Sequence, residues 1–165
     1  MRKKQDFGHH VLGFLPVLAL MREMGFTEDQ CLSGTGLKVE NLQQAQTRKN
    51  FSLQSEYTLY RNILQLTGNP LFGLRISQQF PIESYGLLGY AVLSARTLEH
   101  ALTIVHAYGA LAYSVFEIDY HRDGKHGTIT FSALADLPED LLVFYCSRDL
   151  AGGMYSYESA LKRQI

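Results

Sequence analysis

Basic charge, cysteine and catalytic motifs are all scarce in this chain, and each scarcity removes a class of function. Fifteen Lys and Arg stand against sixteen Asp and Glu, a formal net charge of −1. A domain that holds nucleic acid by itself usually carries a basic excess, because phosphate contacts supply most of its affinity. The balance therefore predicts that these 165 residues do not hold DNA or RNA alone. Two cysteines, Cys31 and Cys146, are too few for a disulfide framework. A reduced, cytosolic chain is expected, with a single bridge left open. There is no G-x-S-x-G nucleophile turn. Ser33-Gly34-Thr35-Gly36 lacks the spacing and the preceding strand of a phosphate cradle, and Gly86-Leu87-Leu88-Gly89 lacks dinucleotide-binding spacing. Neither repeats nor low-complexity segments occur.

No apolar run is long enough to span a bilayer. MRKK followed by VLGFLPVLALM imitates a secretory signal, but Asp6, His9 and His10 interrupt it and no small-x-small cleavage site follows. Residues 11–24 are expected to form a buried amphipathic helix stopped by Gly25, with residues 1–7 disordered.

What is present is mostly helical periodicity. Residues 28–32 fit one helical turn ending at the 33–36 loop, and residues 38–47 a short helix plus connection. Over 52–66, Leu53, Tyr57, Tyr60 and Leu64 recur at helical spacing, and Gly68-Asn69-Pro70 ends the run. A short helix is expected over 71–80, broken by Pro81. In YGLLGYAVLSARTLEHAL (Tyr85–Leu102), Leu87, Leu88, Tyr90, Val92 and Leu93 leave no polar face, so the first half reads as a helix buried all round. Gly86 and Gly89 mark places where a neighbouring backbone or a ligand comes close. Thr97 then N-caps an amphipathic helix. Residues 115–121 and 128–133 alternate apolar and polar, and Asp123-Gly124 between them predicts a hairpin. Pro138 opens a last helix running to about Tyr157. The fold class is α+β, a single domain over 1–165, predominantly helical with a small antiparallel sheet built on the 115–133 hairpin. A hairpin alone is marginal in water. Helices must cover it, or strands beyond Ile165 must complete it. The ending Lys162-Arg163-Gln164-Ile165 carries no cap or loop signal, which predicts a truncated chain.

Side chains that could carry chemistry are few. His9 and His10 lie near an end expected to be mobile. His100 and His106 share no helical face, and His121 and His126 flank the hairpin turn. No metal site and no cofactor is expected, since two ligands do not complete a zinc site. Cys146 falls inside a helix and reads as an inert thiol. The tyrosines are the richer signal: Tyr57, Tyr60, Tyr85, Tyr90, Tyr108, Tyr113 and Tyr120 have the chemistry of an apolar ligand pocket with a few hydroxyls. Arg61 and Arg75 interrupt apolar segments, and a bidentate guanidinium suits a carboxylate. Arg61, Tyr85, Tyr90, Tyr113 and Tyr120 are the expected ligand-binding set.

Three segments in order carry a resemblance: LSGTGLKVENL (32–42), EYTLYRNILQLTGNPLFGLRIS (56–77) and YGLLGYAVLSARTLEHALTIVHAYGAL (85–111). Together they resemble the N-terminal effector domain of AraC/XylS-type transcriptional regulators, in the branch labelled arabinose-binding, over roughly residues 10–160. The resemblance implies a C-terminal DNA-binding region with two helix-turn-helix motifs in a parent protein, absent from this sequence. It implies a small-molecule effector but does not make that effector arabinose. It also implies transcriptional regulation, with DNA contacted only through the missing domain. A cytoplasmic protein with no membrane segment and no enzymatic activity is expected from the scarce cysteines, the short apolar runs and the lack of a catalytic constellation. Two readings follow: a ligand-sensing regulatory domain, or a ligand-free module joining two regulators as a homodimer. For the sensor, a carboxylate or amino-acid-like metabolite is expected between the helices and the hairpin.

Overall fold

Pro16 sets where the first long helix begins. In the computed structural model, which describes residues 9–43, 50–134 and 136–162, Val11–Phe14 is a tight 3-10 turn and the α-helix starts only at Leu15. Proline lacks a backbone N–H and fits a helix only in its first turn. The expected single helix over 11–24 is therefore a turn followed by a shorter helix. Gly25, at φ +90°, redirects the chain just past its end.

The order of elements is β1 (His9–His10), α1 (Leu15–Glu23), α2 (Glu28–Leu32), α3 (Val39–Gln43), β2 (Asn50–Phe51), α4 (Leu53–Thr67), α5 (Gly73–Ser77), α6 (Leu87–Leu93), α7 (Leu98–Tyr108), β3 (Phe116–Asp123), β4 (His126–Ala133) and α8 (Glu139–Lys162). The fold is α+β and mostly helical, as the sequence predicts. The expected single domain is organised as two compact units, Met1–Gln79 with Pro138–Arg148, and Phe80–Leu137 with Asp149–Ile165. The expected disorder of residues 1–7 and the 44–47 end of the second short helix lie outside the described residues.

In the first unit, α4 is the central element. Ser52 caps it by accepting from Ser55 N at 3.1 Å, and Gly68 closes it in the left-handed conformation. Its buried face carries Tyr57, Leu59, Tyr60 and Ile63, and Phe14, Val17, Met21, Ile76, Leu141, Phe144 and Tyr145 of the same unit are buried too. The Tyr60 ring lies 4.5 Å from that of Phe144 and 5.6 Å from that of Tyr145. Gly73 lets α5 approach α8, since a Cβ there would collide with the Phe144 carbonyl. α5 is shorter than the expected 71–80 helix. Asn69 Oδ1 holds Leu71 N in a turn before it, and Pro81 disfavours helical geometry in the residue ahead. β1 pairs with β2, His9 opposite Phe51 and His10 opposite Asn50. Two residues are too few to show alternation, so the sequence did not announce this ladder.

In the second unit, Ile82, Leu88, Val92, Ala95 and Ala101 form a core closed by Ile104, Val105 and Ala112. Thr97 caps α7 as expected, accepting from His100 N at 3.1 Å. α6 departs from expectation: Leu88, Gly89 and Val92 are buried, but Leu87 is 87% exposed and Tyr90 62%. Seven residues offer only one face to α7 and to the 3-10 turn Ile82–Tyr85, and apolar composition does not bury the other. β3 and β4 form the expected hairpin, with Ile118 opposite Phe131 and Tyr120 opposite Ile129. Asp123 pairs with His126, so the turn is Gly124-Lys125, one residue later than expected. Gly124 has φ +57° and no described non-glycine residue has positive φ. That is the sign pattern of a type II′ turn, which places glycine first. α7 lies against the hairpin, His106 Nδ1 sitting 3.0 Å from Asp119 Oδ1 and 3.2 Å from the Ile118 carbonyl.

Candidate functional site

In the first unit, α1, α2 and α3 line an open surface groove of about 280 Å³. Leu15, Leu18, Ala19 and Arg22 follow one another at helical spacing on one face of α1, and Val39 and Leu42 of α3 complete the apolar wall. The polar end is Arg22 and Glu28, with Nη1 donating to Oε1 at 3.2 Å. Glu28 opens α2 directly after its N-cap, Thr27, within a capping box. Thr27 Oγ1 accepts from Gln30 N at 3.2 Å, and Gln30 Oε1 accepts from Thr27 N at 2.8 Å. Asn62 Nδ2 satisfies the carbonyls at the far end of α2, donating to Cys31 at 2.9 Å and to Ser33 at 2.7 Å. Cys31 lies buried in α2, and burial first and the Glu28 charge second push its thiol pKa up. It is therefore protonated and unsuited to nucleophilic attack.

A second polar group is buried in the same unit. Glu56 of α4 is fully buried, accepting from Tyr145 Oη at 3.1 Å and lying 2.7 Å from His9 Nδ1 and 3.7 Å from Arg148 Nη1. Arg148 also donates to Tyr60 Oη at 3.3 Å, and its guanidinium sits 4.7 Å from the Tyr145 ring centroid. Burial, and then the Glu56 charge, hold the Tyr145 phenol well above its usual pKa. His9 is thus held against Glu56. The sequence did carry a signal for this cluster. Glu56 is in phase with Tyr60 and Ile63, and Arg148 with Leu141 and Tyr145, so each charge lies on an apolar stripe.

The expected ligand-binding residues fall in different places. Arg61, in the first unit, is already engaged: Nε and Nη2 donate to the two carboxylate oxygens of Asp140 at 2.6 and 3.0 Å. That hydrogen bond raises the Arg61 pKa and lowers that of Asp140. Tyr57 and Tyr60 are core residues, and Arg75 is exposed. In the second unit, Tyr85 and Tyr113 do meet, with ring centroids 6.4 Å apart, and Phe80 joins them 6.1 Å from Tyr113. Burial pushes the Tyr113 hydroxyl pKa up. Next to it, Ser114 Oγ donates to Asp149 Oδ2 at 2.7 Å. Tyr90 stands exposed on α6. Tyr120 covers Gly127 across the hairpin, where a Cβ would lie 2.8 Å from its ring, a packing role for an aromatic beside a strand glycine.

Both cysteines are free thiols. Among the described residues, no group of three His, Cys, Asp or Glu is placed to hold a metal ion, and no helix is long and apolar enough to cross a membrane. The register sets His121 opposite Thr128, so His121 and His126 do not pair directly.

Residues 25–163 match the family described as the arabinose-binding domain of AraC transcription regulator, N-terminal. An uncharacterised HTH-type transcriptional regulator of Mycobacterium tuberculosis is 27% identical over 145 residues, 87% of this chain and 41% of that protein. The ornithine utilization regulator of Pseudomonas aeruginosa is 24% identical over 140 residues, 85% of this chain and 40% of that protein. The chain thus spans about two fifths of the length of these curated relatives. No solved structure matches it.

Proposed function

The chain belongs to the family of N-terminal arabinose-binding domains of AraC transcription regulators, and from that premise we propose that it is a cytoplasmic small-molecule sensor controlling a C-terminal helix-turn-helix domain of a longer regulator. The observation that carries this reading is the groove between α1, α2 and α3. It has a volume just under that of typical small-ligand pockets, apolar walls, and its polar groups gathered at one end. No catalytic role is assigned: the buried thiol is protonated and the buried carboxylate is engaged by His9, Arg148 and Tyr145. The effector would act by binding one conformational state better than the other, because equal affinity shifts nothing. The aromatic surface of Phe80, Tyr85 and Tyr113 is the other candidate seat.

The coupling is tested in a regulator that carries both this domain and its DNA-binding region. Operator affinity is titrated with and without the compound that binds the sensor. A change of about fivefold or more, with the reciprocal change in compound affinity when DNA is bound, supports control. Identical affinities contradict it.

A second reading has one observation of its own. Leu150, Met154 and Tyr157 of α8 lie at helical spacing and are 50%, 66% and 41% exposed. This apolar stripe favours a homodimer formed through α8. Sedimentation of the chain and of Met154→Glu tests it: a dimer that the substitution dissociates supports the reading, and a monomer at high concentration opposes it.

A further inference from the structure

We propose that the groove binds an α-amino acid with an apolar side chain, its carboxylate on Arg22 and its ammonium on Glu28. The proposal rests on the sensor reading and names the ligand class for the same site.

Charge complementarity selects this class. The polar end of the groove holds one positive and one negative side chain, so it is electrically balanced. A compound carrying a carboxylate alone would satisfy Arg22 and leave Glu28 facing a second anion. An amine alone would do the reverse, and a polyamine or a phosphate would unbalance the site further. An α-amino acid carries both charged groups on one carbon and satisfies both partners. Arg22 and Glu28 are arranged to accept it, because among the described residues they meet through a single Nη1–Oε1 contact at 3.2 Å. The other edge of the guanidinium is left for a bidentate carboxylate.

The walls select the side chain. Leu15, Leu18, Ala19, Val39 and Leu42 offer no neutral hydrogen-bonding group. A sugar would bring several hydroxyls against apolar walls that offer them no hydrogen-bonding side chain. An aliphatic side chain fits the same walls and gains from leaving water. The volume of about 280 Å³ admits a small metabolite.

Calorimetric titration of the 165-residue chain with L-leucine tests the assignment. Saturable one-site binding is expected. Isocaproate, which lacks the ammonium, and isoamylamine, which lacks the carboxylate, should each bind at least about tenfold more weakly. L-arabinose should give no binding heat. Arg22→Gln and Glu28→Gln should each weaken L-leucine by about tenfold or more. Ala19→Leu, which fills the groove and leaves both charges in place, should abolish binding. Circular dichroism confirms that each variant is folded. The proposal is overturned if L-leucine does not bind, if it binds no better than the single-charge analogues, or if Arg22→Gln or Ala19→Leu binds it like the unaltered chain. A different compound whose binding survives Arg22→Gln, Glu28→Gln and Ala19→Leu would overturn this assignment and leave the sensor reading standing.

Discussion

Arg148 and Glu56 face each other inside the first unit, Nη1 3.7 Å from Oε1, and both are buried. They belong to α8 and α4, far apart in sequence, so the pair ties the first turns of the last helix to the central helix of that unit. Removing Arg148 takes away the guanidinium and leaves the buried Glu56 carboxylate with only His9 and the Tyr145 hydroxyl beside it. Arg148→Met should therefore cost about 3–5 kcal/mol. Urea denaturation of the purified variant measures this. A loss below about 1 kcal/mol, typical of exposed pairs, would show that the pair contributes little.

The Arg61–Asp140 pair joins the same two helices at the surface and should behave differently. It is solvent-exposed, its side chains 36% and 55% accessible, so Arg61→Ala should cost no more than about 1 kcal/mol despite the short bidentate geometry. The Asp140 pKa is lowered by the hydrogen bond from Arg61. Its contribution is therefore full above the ordinary carboxylate pKa of about 3.9 and is lost as pH falls through the lowered folded value. In Arg61→Ala this part of the acid dependence should vanish. Denaturation midpoints from pH 7 to pH 2 would reveal it, and identical acid limbs in both proteins would deny the linkage.

Gly89 is the position where α6 tolerates no side chain. A Cβ would collide with the Ile82 carbonyl, a backbone atom that cannot rotate aside. Gly89→Val should lower stability by at least about 1–3 kcal/mol through overpacking. Gly109→Ala is the control, because nothing lies within 4 Å of its added carbon. Thermal melts of the two variants should differ clearly; equal midpoints would place Gly89 away from its neighbour.

The isolated chain should not retard promoter DNA in a sequence-specific manner. Its net charge of −1 provides no excess of cations for phosphate contacts. A specific mobility shift by these 165 residues alone would contradict the reading.

Much of the fold was legible because it rests on local rules. Gly68-Asn69-Pro70 marked the end of α4, Thr97 marked the start of α7, and the alternation on either side of Gly124 marked the hairpin. Misreadings arose where composition was taken for environment. Leu87 is as apolar as Leu88 and Tyr90 is largely aromatic, but a short helix packed on one side leaves both in water. The candidate site was less legible for a related reason. Tyrosines attract attention as residue types, yet Tyr57 and Tyr60 fill the core and Tyr120 covers a glycine. The groove is made of ordinary leucines, a valine and an alanine whose convergence is long-range. Its one sequence trace is a pair of opposite charges, Arg22 and Glu28, on either side of the Gly25 turn. The buried Glu56 cluster is also a tertiary product, since neither His9 nor Arg148 is near Glu56 in sequence.

The measurement that tests the sensor reading most directly is a melting screen of the chain against amino acids, polyamines, sugars and fatty acids. A ligand that binds only the folded state raises stability by about 2.7 kcal/mol at a hundredfold excess over its dissociation constant. A saturable rise in melting temperature is expected with at least one apolar amino acid, reduced in Arg22→Gln. A flat response to every class, in a chain that sediments as a dimer dissociated by Met154→Glu, would contradict it and identify the domain as a ligand-free interaction module.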